Sequence, residues 1–153
     1  MFFKKDKPIV KEIKLKKEYP FMYEGFMIAT QNILYLLLEE NAGLTDALSF
    51  QFRIFKFGHP NDEVLGAHPM AKYGLRHYGI FEVSNSPWIE ELKIGNRIHP
   101  SHTDDMFDDY KHFIITYKDN TLDVIFRKMQ EIVLTTEQLT AIILEQITYL
   151  AKD

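Results

Sequence analysis

The sequence predicts an α+β domain, with an antiparallel sheet of about five to seven strands, a C-terminal helix packed on one face and short helices in the connections. Several short runs alternate apolar and polar residues, the mark of half-buried strands. Aromatic residues are plentiful, with twelve Phe and eight Tyr, and suit a pleated surface. Leu139, Ile142, Ile143, Ile147 and Leu150 instead recur at helical spacing behind the capping-box pattern Thr135-Thr136-Glu137-Gln138.

From Ile9 to Lys17, lysines interleave with Ile13 and Leu15, as on an exposed edge strand whose charges block edge-to-edge pairing. Phe26 to Thr30 and Ile33 to Glu40 read as a hairpin turning at Gln31-Asn32. A helix capped by Thr30 and closed by Gly43 competes for residues 30–42, and the shortness of the apolar run favours the strand. Leu48, Phe50, Phe52 and Ile54 alternate with polar residues in a strand over 47–57, and the switch of face at Phe55 to Phe57 suits a bulge. Gly58-His59-Pro60-Asn61-Asp62 then ends that strand.

A short strand over 78–83 leads to Ser86-Pro87-Trp88, where Ser86 caps a helix over 87–94 and Pro87 takes its first position. Gly95 is expected to close this helix, and Trp88 to pack on Leu92 one turn away. A helical turn over 104–110 precedes a hairpin of 113–117 with 122–127, where Asp119-Asn120 tolerates the positive φ of a tight tip. The expected core is Phe50, Phe52, Ile54, Phe81, Val83, Phe113, Ile115, Leu122, Val124, Ile143 and Ile147.

At 153 residues the chain is expected to be one domain, 1–153. It has no cysteine, which excludes disulfides, thiolate nucleophiles and Cys-based metal sites. The longest strongly apolar run, Ile33 to Leu38, is six residues, where a membrane helix needs about 20. No apolar signal segment follows Met1, so a soluble, cytoplasmic protein is expected, with no membrane association. Residues 1–17 hold seven lysines against two acids, while the rest has eleven basic and twenty acidic residues. Such an acidic body disfavours nucleic acid as a partner.

All six histidines fall between positions 59 and 112, and His59, His68 and His99 each precede a proline. Proline holds the preceding residue extended, so each His-Pro presents its imidazole from a stiff corner. Such corners suit a preorganised site and equally suit loops whose imidazoles bond the backbone. His99, His102 and Asp104 are spaced like ligands but match no strong metal pattern, and no metal or cofactor is expected. Arg76-His77 and Asn96-Arg97-Ile98-His99 set guanidinium beside imidazole, for an anion or for ion pairs with the abundant acids. For acid–base chemistry, His77 lies near Glu82 and His112 near Asp119 in the chain. Asn85-Ser86-Pro87 lacks the glycines of a nucleophile elbow, and no phosphate-cradling glycine pattern occurs.

Gly58-His59-Pro60-Asn61-Asp62, His68-Pro69, Asn85-Ser86-Pro87-Trp88-Ile89 and Asn96-Arg97-Ile98-His99-Pro100-Ser101-His102 together resemble small bacterial proteins of unassigned function. That resemblance implies a bacterial setting and no activity. The reading favoured by the sequence is a non-enzymatic interaction module of immunity or accessory type. It would dock a partner protein with the acidic stretch Asp104 to Asp109. The alternative is a small-ligand-binding or hydrolytic enzyme with a histidine and arginine pocket within residues 58–112. The candidate binding residues are His68, Arg76, His77, Trp88, Asn96, Arg97, His99 and His102. Convergence of the imidazoles in one concave pocket would favour the enzyme, and scatter over loops the docking module.

Overall fold

The computed structural model describes residues 6–152, so the first five residues of the basic segment lie outside the described residues. The seven strands are β1 (Ile9–Glu12), β2 (Phe26–Ala29), β3 (Ile33–Asn41), β4 (Leu44–Gly58), β5 (Gly79–Ser84), β6 (Lys111–Tyr117) and β7 (Asn120–Thr135). Helices α1 (Pro87–Asn96) and α2 (Thr136–Leu150) complete the regular elements, with short 3-10 turns in the connections. All strands join one sheet in the order β1-β5-β6-β7-β4-β3-β2, every neighbouring pair antiparallel. The α+β architecture follows the alternation in the sequence, and lysine-bearing β1 is an edge strand.

Within residues 30–42 the chain forms the strand β3, and the reason is visible in its burial. Leu34 and Leu36 face one side of the sheet and Leu37 the other, all buried, so the run is continuously apolar because both faces are covered. Thr30 closes the β2–β3 turn, its hydroxyl accepting from Ile33 N–H at 3.0 Å. At the β6–β7 tip Asp119 takes φ 70°, the conformation that a short polar side chain tolerates. The bulge in β4 falls between Gln51 and Ile54, earlier than the face switch suggested, and leaves Phe52 and Ile54 only half-buried.

The larger core lies on one face. Leu34, Leu36, Leu48, Phe50, Phe113, Ile115, Tyr117, Leu122, Val124 and Phe126 meet there, with Phe50, Phe113 and Phe126 edge-to-face at 4.6–6.4 Å. Tyr19 and Phe21 close this face, with Ile13 and Leu15 packed beside them. The expected contribution of Ile143 and Ile147 is therefore corrected: they are 47% and 52% exposed. Helix α2 half-buries Leu139 and Ile142, and its capping box forms as Thr135 accepts from Gln138 N–H at 3.1 Å.

Strand alternation sends His112, Ile114 and Thr116 of β6, and Thr121, Asp123 and Ile125 of β7, to the opposite face. The connection from β4 to β5 covers that face, where Leu65, Met70 and Leu75 pack on Phe81, Val83 and Ile114. Helix α1 runs two residues past its expected end, with Gly95 inside it and Arg97 as C-cap. The expected turn over 104–110 shortens to a 3-10 turn at Asp104–Phe107. Among the described residues, no helix is long and apolar enough to cross a membrane.

Phe50 is fully buried and Ile147 is half exposed, so their truncations should differ sharply. In urea unfolding, Phe50→Ala should cost about 3–5 kcal/mol, and Ile147→Ala less than about 1 kcal/mol.

Candidate functional site

A carboxylate stands in the middle of the second face. Asp123 faces Ile114 of β6 and Lys56 of β4 in the sheet register, and is only 8% exposed. His112 lies two residues before Ile114 and so shares that face, diagonal to Asp123. His112 Nε2 is 2.8 Å from Asp123 Oδ2, and His68 Nε2 is 2.7 Å from Oδ1. His68 caps the 3-10 turn Asp62–Ala67 with φ −68° and ψ 135°, the extended backbone expected before Pro69. Both imidazoles are buried, at 3% and 7% exposure for His112 and His68.

The outer nitrogens are engaged as well. Met70 N–H donates to His68 Nδ1 at 3.0 Å, so that nitrogen is an acceptor and the proton of His68 sits on Nε2. His112 Nδ1 is 2.8 Å from Ser86 Oγ, and Ser86 Oγ accepts from Ile89 N–H at 3.2 Å as the cap of α1. A chain of hydrogen bonds thus runs Ser86–His112–Asp123–His68. Burial alone would push the Asp123 carboxyl upward. The hydrogen bonds from His112 and His68 outweigh it and hold the carboxyl below its ordinary value, so Asp123 is ionised.

Two concavities flank this chain. One, of about 370 Å³, is lined by Lys56, His59, His68, Trp88, His112 and Asp123. The other is an open groove of about 970 Å³ that passes Ser86 between α1 and the β1–β5 edge. Trp88 packs edge-on against His112, with ring centroids 5.5 Å apart. Lys56 Nζ sits 4.2 Å from the centroid of the indole ring.

Of the sequence-derived candidates, the cavity gathers His68 and Trp88. His59 and His112 join them, so three of the six histidines converge. Arg76 instead pairs with Glu12, and His77 Nε2 lies 2.6 Å from the backbone oxygen of Asp62. Asn96, Arg97 and His102 assemble around Asp104 in the loop after α1. Asn96 Nδ2 is 2.7 Å from His102 Nδ1, His102 Nε2 is 2.7 Å from Asp104 Oδ1, and Arg97 donates to both carboxylate oxygens. Arg97 and then His102 hold Asp104 down to about 2. His99 Nδ1 accepts from Ser101 N–H at 3.0 Å, a corner closed by its own backbone. Among the described residues, no group of three His, Asp or Glu is placed to hold a metal ion.

Sequence reasoning paired His112 with Asp119, its neighbour near the turn, whereas the carboxylate it meets is Asp123. One signal pointed there: Asp123 interrupts the apolar strand Leu122-Asp123-Val124-Ile125-Phe126, and a charge in such a place needs partners. Ser86 was legible as a cap but not as the partner of His112.

No protein-family model, no curated protein and no solved structure matches this chain.

Because the folded Asp123 titrates below its unfolded value near 4, its stabilisation is complete above about pH 4. It is lost as the pH falls through the folded value. Asp123→Asn should cost on the order of 3 kcal/mol at neutral pH, by leaving buried imidazole donors poorly paired. The gap between wild type and variant should narrow below about pH 4 when urea unfolding is followed against pH. A gap that stays constant in acid would contradict an ionised Asp123.

Proposed function

We propose that the protein acts on a small molecule held against this network, with His112 as its proton-handling group and Asp123 as the carboxylate that orients it. The observation that carries the reading is the buried Asp123 carboxylate, fixed between imidazoles and opening on a cavity of about 370 Å³. That volume lies within the range of small-ligand sites, and its walls mix apolar side chains with a few oriented polar groups. Stability alone gives little reason for such a core, since well-packed apolar residues often serve as well as or better than buried ion pairs. Full pairing of the ring nitrogens also fixes which atoms carry protons, as acid–base chemistry needs. The absence of cysteine supports a cytoplasmic setting as part of the same proposal.

A second reading, the docking of a basic protein partner, is favoured by one observation. Asp105, Asp108 and Asp109 are exposed and make no ion pair among the described residues. Their charges would steer a basic surface toward the turn at Asp104–Phe107.

Imidazole ¹H–¹⁵N spectra recorded against a library of small esters, carboxylates and amines separate these readings. The small-molecule proposal expects compounds that shift His68 and His112 together, with the response abolished in Trp88→Ala and Asp123→Asn. Compounds that bind elsewhere only, or none at all, would contradict it.

A further inference from the structure

We propose that Ser86 is a nucleophile and that the reaction is transfer of an acyl group from a small carboxylic ester to water. This inference rests on the small-molecule reading above and places the reacting ester carbonyl on the groove side of the same network, at Ser86. Ser86 sits where β5 passes into α1, 8% exposed, and lines the open groove. Its Oγ is 2.8 Å from His112 Nδ1, and His112 Nε2 is 2.8 Å from Asp123 Oδ2. The proton on Nε2 is held by the carboxylate, so Nδ1 turns its lone pair to the serine hydroxyl. Serine, imidazole and carboxylate thus stand in the order of nucleophilic catalysis, recognised by geometry and not by place in the chain. His68 braces the far oxygen of Asp123 at 2.7 Å, as a positioning residue.

The backbone supplies the other requirement. Ser86 caps a helix of ten residues, so the positive end of the helix dipole lies against Oγ. Pro87 has no N–H, so the first amide hydrogens of the helix are those of Trp88 and Ile89. The Ile89 N–H donates to Oγ at 3.2 Å and so steadies the charge that builds on that oxygen as its proton leaves.

Ser86 Oγ bonds to the ester carbonyl carbon while its proton passes to His112 Nδ1. The bond from carbon to the alcohol oxygen breaks, and the alcohol leaves with that proton. Water then attacks the acyl-serine, gives a proton to His112 Nδ1 and releases the carboxylic acid, and the proton returns to Ser86. Asp123 stays ionised throughout and no redox change occurs.

The test uses a fluorophosphonate probe and p-nitrophenyl acetate on the full chain, with thermal unfolding confirming that each variant is folded. Wild type should take one phosphonyl group on the Ser86 peptide by mass spectrometry and release p-nitrophenol in a burst. Ser86→Asn keeps a helix cap without a hydroxyl, and should lose both signals as Ser86→Ala does. His112→Gln should slow labelling by about 100-fold or more. No adduct on Ser86 of folded wild type, or unchanged labelling in folded His112→Gln, would overturn the inference. If small molecules still shift the imidazoles of His68 and His112 while Ser86 stays unlabelled, only the nucleophile falls. If neither occurs, the small-molecule reading falls with it.

Discussion

A charged carboxylate in the middle of an antiparallel sheet has to be compensated, and the way Asp123 is compensated organises one whole face of this protein. An isolated carboxylate there would lose its water and neutralise or destabilise the fold. Donors reach it from two directions: His112 along the neighbouring strand, and His68 from the connection between β4 and β5. The second donor requires that connection to fold back over the sheet. It does so with Leu65, Met70 and Leu75 buried against Phe81, Val83 and Ile114. The first donor draws in Ser86, and through it the start of α1. One buried charge therefore ties a loop, a helix and two central strands together.

Two polar clusters in the same chain show why burial decides what such groups do. Asp104 is gripped by Arg97 and His102 and held down to about 2, yet it stands in solvent at a loop surface. Its pairing is screened and serves to fix a turn. Asp123 meets imidazoles at similar distances but under the packed second face, where every unmet hydrogen bond is costly. Residues that look alike in sequence, His-Pro corners above all, are divided by this difference. His68 becomes part of the buried network, and His99 turns back on its own backbone.

Much of the fold was legible because local chemistry and tertiary structure agree. Ser86 and Thr135 start helices as caps, Asp119 makes the hairpin tip, and the alternation of Leu48 and Phe50 with polar residues sets the faces of β4. Where periodicity misled, a tertiary fact intervened. The stripe of α2 has helical spacing, but Tyr19 and Phe21 cover the main core and leave Ile143 and Ile147 outside it. The site was less legible. Its members stand up to 55 residues apart, and the sheet register together with the folded-back β4–β5 connection brings them together. Asp123 carried the one usable sign, a charge in an apolar strand.

Asp123 is ionised and each imidazole gives it an Nε2–H, which leaves Nδ1 of His112 as an acceptor toward Ser86. Side-chain ¹⁵N spectra of the histidines near neutral pH read this directly. Protonated Nε2 is expected on both His68 and His112, with Nδ1 of each at the shift of a hydrogen-bonded acceptor. A proton on Nδ1 of His112 would contradict it, since Ser86 would then be an acceptor alone and the network a structural strut.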